Sequence, residues 1–178
     1  MKIEDTKCQG VKLIHCFSSH DARGGFTKIY HEPDYLAAGL DVRMRESYYS
    51  SSGRDVIRGM HFQLPPYDHA KIVHVIKGEV EDVVLDLRKN SQTYGQAFSF
   101  LLSGDDPKAL YIPAGFAHGF KSMQDHTLML YQVTSAYEQS SDTGILYDSF
   151  GYDWKTASPV VSDRDKSFMK FEEFESPF

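Results

Sequence analysis

Only two cysteines, Cys8 and Cys16, occur in the 178 residues, both in one N-terminal segment, so neither a disulfide framework nor a cysteine-based zinc site is encoded. Long hydrophobic runs are missing as well. The longest apolar stretches are a few residues, against the roughly 20 needed to cross a bilayer, so no membrane association is expected. The opening MKIEDTKCQG places acids where a secretion signal carries its apolar stretch, and a reducing cytoplasm is the expected location. Basic charge is also scarce. Lys and Arg total 19 against 25 Asp and Glu, for a net charge of -6, and the cations are scattered singly, which argues against a nucleic-acid-binding face. A small anionic ligand stays open, because a few well-placed arginines suffice for a phosphate.

What is present reads as an all-β chain. Segments rich in β-branched and aromatic residues span Val11 to Phe17, Gly25 to Tyr30, Val42 to Tyr49, Lys71 to Ile76, Glu79 to Arg88, Ala97 to Leu102 and Leu128 to Thr134. Turn-forming mixtures such as HDARGG, SSSGRD, LPPYDH and SGDDPK separate them. Short strands at this spacing favour an antiparallel sandwich or barrel over βαβ units. Two helices are expected: EPDYLAAGL, with Pro33 in its first turn and Gly39 as its stop, and a second beginning near SDRDKSFMKFEEF. No repeat or linker divides the chain, so residues 1–178 are expected to form one domain.

Alternation gives the first functional hint. In KIVHVIK, Lys71 shares its parity with Val73 and Val75 and is placed to point inward, unless it is an edge lysine whose ammonium reaches solvent. Tyr131 in LMLYQVT shares a face with Met129 and Val133, which also suits an ordinary core tyrosine. His61 in RGMHFQ and His118 in IPAGFAHGF are the histidines singled out. Titrating near 6.5, histidine serves as a base around neutrality, though a buried histidine with satisfied hydrogen bonds is the plainer explanation of each.

The Pro-x-Gly-x-x-His pattern of IPAGFAHGF resembles the second motif of the cupin superfamily, a jelly-roll β-barrel family. Metal-binding cupins add a His-x-His pair and a glutamate in the first motif. Here Gln63 stands two after His61 and no glutamate follows in LPPYDHAK, so a site needing three or more protein ligands is not expected. The succession DARGGF, VIRGMHFQ, HAKIVHVIKGEVEDVVLDLRKNSQTYG, LYIPAGFAHGF, LYQVTSAY and VSDRD, over roughly residues 10 to 166, resembles the RmlC-like nucleotide-sugar epimerases within that superfamily.

The resemblance implies a cupin jelly roll and a cofactor-independent isomerase. Its substrate would be a nucleoside-diphosphate 4-keto-6-deoxy sugar, inverted next to the ketone through an enolate. The thymidine-linked sugar and inversion at carbons 3 and 5 are the expected case. Alternatives are a 5-epimerase or keto-isomerase on a cytidine or guanosine diphosphate sugar, and a binding-only cupin. By resemblance, His61 is the base, Asp165 its orienting carboxylate, Lys71 the cation facing the ketone oxygen and Tyr131 the donor on the opposite face. Asp165 also fits a helix-capping pattern starting at Ser162. Arg23, Phe26, Glu46, Tyr48, Arg58, Gln63, His118 and Tyr137 match substrate-side positions, although Arg23 alone would read as a surface arginine in a turn. A homodimer exchanging N-terminal strands is also implied.

Departures from the family pattern bear on specificity. ESYYSSS stands where relatives on thymidine substrates carry Gln-x-Asn-x-Ser-x-Ser, so Glu46 replaces the glutamine and Tyr48 the asparagine. An ionised carboxylate only accepts hydrogen bonds, whereas an amide donates and accepts. Lys28 replaces a glutamate, and YDS at Tyr147 to Ser149 a Trp-Asn-Asp run.

Overall fold

The computed structural model describes residues 1–178 except Val42. It is a jelly roll of two antiparallel sheets. The strands are β1 (Lys2–Asp5), β2 (Lys12–His15), β3 (Phe17–Asp21), β4 (Gly24–Lys28), β5 (Glu46–Ser52), β6 (Ile57–Gln63) and β7 (Lys71–Lys77). They continue as β8 (Glu79–Asp86), β9 (Ala97–Ser103), β10 (Lys108–Ile112), β11 (Phe116–Ser122), β12 (Thr127–Val133) and β13 (Asp142–Gly144), with helices α1 (Glu32–Ala37) and α2 (Asp163–Lys166) and a 3-10 turn at Phe171–Glu173. One sheet runs β1-β2-β10-β7-β12-β5 and the other β13-β6-β11-β8-β9, while β3 and β4 pair only with each other.

Period-two alternation sorts side chains between three apolar layers. Val73, Val75, Val84, Phe116, Phe120 and Met129 fill the space between the sheets. Ile72, Ala109 and Tyr111 face the other way and pack with Tyr35 of α1. Val83, Leu85 and Ala117 pack with Met60 and Trp154 on the outer face of the five-stranded sheet. The inner strands β7 and β8 are therefore covered on both faces, which is why KIVHVIK carries apolar residues at both parities and the Val83–Leu85 stretch of β8 is unbroken.

Strand β6 is irregular where it passes the site. His118 pairs with His61 and Phe120 with Arg58, so two residues of β6, Gly59 and Met60, stand opposite one of β11, Gly119. That extra residue is a β-bulge, and it turns Arg58 and His61, three apart, toward the same cavity. Glycine permits the crossing: Gly59 has φ +151°, and a Cβ there would lie 2.6 Å from the Cα of Gly119.

Several boundaries differ from those expected. The Val11 to Phe17 segment divides into β2 and β3, with the Cys16 N–H donating to the Pro107 carbonyl at the break. The strand expected from Val42 begins at Glu46; Val42 itself lies outside the described residues. α1 stops at Ala37, and Gly39 follows at φ +70°. The C-terminal helix is only α2 and the 3-10 turn. Between them Met169 bridges Ile145 and accepts from the Leu146 N–H, which holds the chain extended. Strands β1, β6, β10, β11 and β13 were not anticipated. Among the described residues no helix is long and apolar enough to cross a membrane.

Candidate active site

Two adjoining cavities open between the sheets and share Tyr48, His61 and Lys71. The outer one, about 310 Å³, is lined also by Glu46, Gln63, His69, Tyr137, Asp142 and Arg164. The inner one, about 200 Å³, is closed by Ser50, Arg58, His118, Phe120 and Tyr131. Ten of the twelve residues anticipated from the sequence meet in or against these cavities; Asp165 does so from behind His61.

The His61 Nε2 lies 2.9 Å from an Asp165 carboxylate oxygen, and the other Asp165 oxygen accepts from the Gly59 N–H at 3.1 Å. The two explanations of Asp165 hold together, because its N–H donates to the Ser162 hydroxyl at the start of α2 while its carboxylate faces His61. Burial raises the Asp165 pKa, but the His61 hydrogen bond and charge, with the bonds from Gly59 and Ser162, outweigh that and hold the carboxyl below its ordinary range. An ionised carboxylate at Nε2 fixes the proton there and leaves Nδ1 as the ring nitrogen with a free lone pair.

Lys71 is 6% exposed, its Nζ donating to the His61 carbonyl at 3.3 Å. Desolvation pulls its pKa down to about 8, opposed by the charges of Asp82 and Asp142. Tyr131 is buried on β12, with its hydroxyl 3.3 Å from the Ser50 hydroxyl. Burial lifts its pKa far above that of a free phenol, against the lowering effect of the Ser50 bond. His118 Nε2 pairs with Asp82 at 2.8 Å; its burial lowers the imidazole pKa, and Asp82 works in the opposite direction. Arg58 donates to the Ser52 hydroxyl and the Ser51 carbonyl, each at 3.0 Å.

Within the single chain, three expected substrate-side residues are otherwise engaged or stand away from the cavities. Gln63 lines the outer cavity, but its amide is committed to the protein: it donates to the Tyr67 and Ala136 carbonyls and accepts from the Glu138 N–H, bracing the loop after β12. Arg23 and Phe26 do not reach the cavities of their own chain. They sit on the β3–β4 hairpin, which stands off the sandwich, with Arg23 90% exposed and paired to Asp21. Glu46 is in the cavity wall and accepts from the Tyr137 N–H at 2.8 Å.

Sequence reasoning passed over Asp82, His69, Asp142 and Arg164. Asp82 carried a signal, an acid at the inward parity of Val80 and Val84 in an apolar run. Asp142 and Arg164 pair at 2.6 Å across the outer cavity, from segments with no motif to join them. His69, near the Gln63 amide, is driven down to about pKa 3 by desolvation and then by the Lys71 charge. Among the described residues no group of three or more His, Cys, Asp or Glu side chains is placed to hold a metal ion.

The family model described as dTDP-4-dehydrorhamnose 3,5-epimerase matches residues 5–173. The chain belongs to that family. It is 36% identical over 173 residues to the dTDP-4-dehydrorhamnose 3,5-epimerase of Methanothermobacter thermautotrophicus, covering 94% of this chain and 93% of that one. The crystal structure of the Bacillus anthracis enzyme with TDP and PPi bound superposes with a TM-score of 0.91 at 33% identity, covering 95% and 98% of the two chains. The Legionella pneumophila enzyme in complex with dTDP-4-keto-L-rhamnose gives 0.92 at 30% identity, covering 98% and 94%. These family members are isomerases, and their ligands are those of a nucleotide-sugar site.

Proposed function

We propose that this chain is a cofactor-independent isomerase that inverts carbons 3 and 5 of dTDP-4-dehydro-6-deoxyglucose. The observation that carries the reading is that His61, Lys71 and Tyr131 all face one 200 Å³ chamber. The sugar occupies that chamber and the nucleotide diphosphate the outer cavity. The His61 Nδ1 takes the proton from a carbon next to the ketone. The C–H electron pair becomes the enolate double bond, and the former carbonyl oxygen carries the charge beside the Lys71 ammonium, a preorganised cation in a dry site. The Tyr131 hydroxyl returns a proton to the opposite face, and the two side chains re-equilibrate with solvent. One proton leaves and one arrives, so the step balances with no cofactor.

The proposal includes a cytoplasmic homodimer. Free Cys8 and Cys16 suit a reducing compartment. The standing-off hairpin, with exposed Phe17, Arg23 and Phe26, suits exchange between subunits, through which Arg23 and Phe26 would serve the partner's outer cavity. The test is proton NMR in heavy water with dTDP-4-dehydro-6-deoxyglucose, with His61→Ala as control. Deuterium entry at carbons 3 and 5, lost in the variant, is expected; entry at one carbon alone limits the reaction to that centre, and none with a folded protein rejects the reading.

A further inference from the structure

The inner row of edge strand β5 braces the site at four successive alternate positions. The Glu46 carboxylate accepts from the Tyr137 N–H, the Tyr48 ring lies on Tyr131, the Ser50 hydroxyl meets the Tyr131 hydroxyl, and the Ser52 hydroxyl accepts from Arg58. Tyr48 stands directly opposite Tyr131 in the β5–β12 register, and the two rings stack with centroids 4.9 Å apart at 18°. On its other side Tyr131 neighbours Val73, and His118 meets it edge-on at 6.3 Å. Among the described residues β5 ends its sheet, so no further strand lies beyond Tyr48 on this flank of Tyr131. Tyr48 itself is 45% exposed and lines both cavities, so its ring forms the seam between them. An amide, the residue that the resemblance leads one to expect here, offers no such stacking face.

We propose that Tyr48 is a positioning residue of this site: its ring clamps the Tyr131 phenol against Ser50 and keeps the outer cavity's water from the face where the proton is returned. The proposal rests on the epimerase reading for its catalytic consequence and on the stacking geometry alone for its structural one. A phenol displaced by an ångström still leaves base and cation in place, so proton removal continues while directed return fails.

Tyr48→Leu, which keeps bulk at the edge strand without an aromatic face, and Tyr48→Phe, which keeps the face, test this. In heavy water, Tyr48→Leu is expected to lower net inversion on the order of tenfold to a hundredfold more than it lowers deuterium entry, and Tyr48→Phe to restore the ratio. In the substrate-free protein, the Tyr131 ring resonances, assigned with Tyr131→Phe, should show the phenol ionising at lower pH in Tyr48→Leu than in the parent, as solvent reaches it. The other groups acting on that phenol, Ser50 on β5, Asp82 on β8, Arg58 on β6 and His118 on β11, are unchanged in both variants. An unaltered inversion-to-exchange ratio together with an unmoved titration in Tyr48→Leu overturns the proposal. If the parent exchanges no deuterium at all, the epimerase reading fails, and the Tyr131 titration still decides the role of Tyr48.

Discussion

Replacing Asp165 with asparagine removes one charge and almost no volume, and the structure fixes what must follow. The carboxylate serves two donors at once, the His61 ring at 2.9 Å and the Gly59 N–H at 3.1 Å. Asparagine has one carbonyl oxygen to offer, so its amino group must face one of the two. Turned toward His61, it donates to Nε2, moves the ring proton to Nδ1 and removes the lone pair that accepts the substrate proton. Turned toward Gly59, it sets donor against donor in a buried site, at a cost of about 1–3 kcal/mol. In either arrangement the imidazolium formed during turnover loses a charge-assisted partner, about 3 kcal/mol at this burial, or about two decades of rate. Tautomer loss in the analogous serine-protease carboxylate costs about 10⁴-fold. Deuterium entry into substrate should therefore fall between about 10² and 10⁴ in Asp165→Asn, with thermal unfolding showing a folded protein. Ser162→Ala, which removes the capping bond and only the least of the bonds that lower the Asp165 carboxyl, should cost about 1 kcal/mol of stability and far less exchange. Exchange in folded Asp165→Asn within threefold of the parent would refute the dyad and leave Asp165 a helix-capping residue.

Other outcomes follow from the same geometry. Because burial brings Lys71 from 10.5 down to about 8, the ammonium is destabilising at neutral pH, and Lys71→Met should be more stable by up to about 3 kcal/mol while losing turnover. That gain fades between about pH 8 and pH 10.5, where the folded and then the unfolded lysine become neutral, and the parent's kcat/KM should fall above about pH 8; urea titrations and pH–rate profiles check both. Tyr131→Phe should exchange deuterium while forming little inverted product, and equal loss of both would remove the separate-donor role. At Asp86, burial raises the pKa, but bonds from Arg88, Ser91 and Thr93 prevail and hold it at about 2. Asp86→Asn should thus cost about 2 kcal/mol at pH 7, a gap that closes as pH falls from about 4 through 2, read from acid unfolding of both proteins.

Where local periodicity survives, the sequence told much. Parity in KIVHVIK put Lys71 on the face of Val73 and Val75, and LMLYQVT put Tyr131 with Met129, which is where the strands carry them. The RGMHFQ strand was not legible because the bulge at Gly59–Met60 breaks the alternation that reveals strands, and the same break is what brings Arg58 and His61 together. Likewise the Asp142–Arg164 pair joins residues 22 apart through a three-residue strand and a four-residue helix, elements too short to leave a periodic trace. The C-terminal helix failed for a tertiary reason: a backbone bridge at Met169 overrides the helical propensity of SFMKFEEF.

The site contains two histidine–carboxylate pairs on neighbouring strands, and their surroundings divide the work. His118 and Asp82 are both sealed, at 4% and 0% side-chain exposure, and burial of the imidazole disfavours its charged form. Such a pair holds a neutral hydrogen-bonding ring in the chamber wall, with little contact with solvent. His61 is 30% exposed and opens on both cavities, while its carboxylate partner is buried behind it at 6%. The base role proposed for His61 requires that combination: a fixed, anionic partner on the protein side and access to solvent on the other. Since His61 and His118 face each other directly in the β6–β11 register, the asymmetry arises from the carboxylates. One is contributed by adjacent strand β8 inside the sandwich, the other by a helix more than a hundred residues along the chain that closes the outer face of β6.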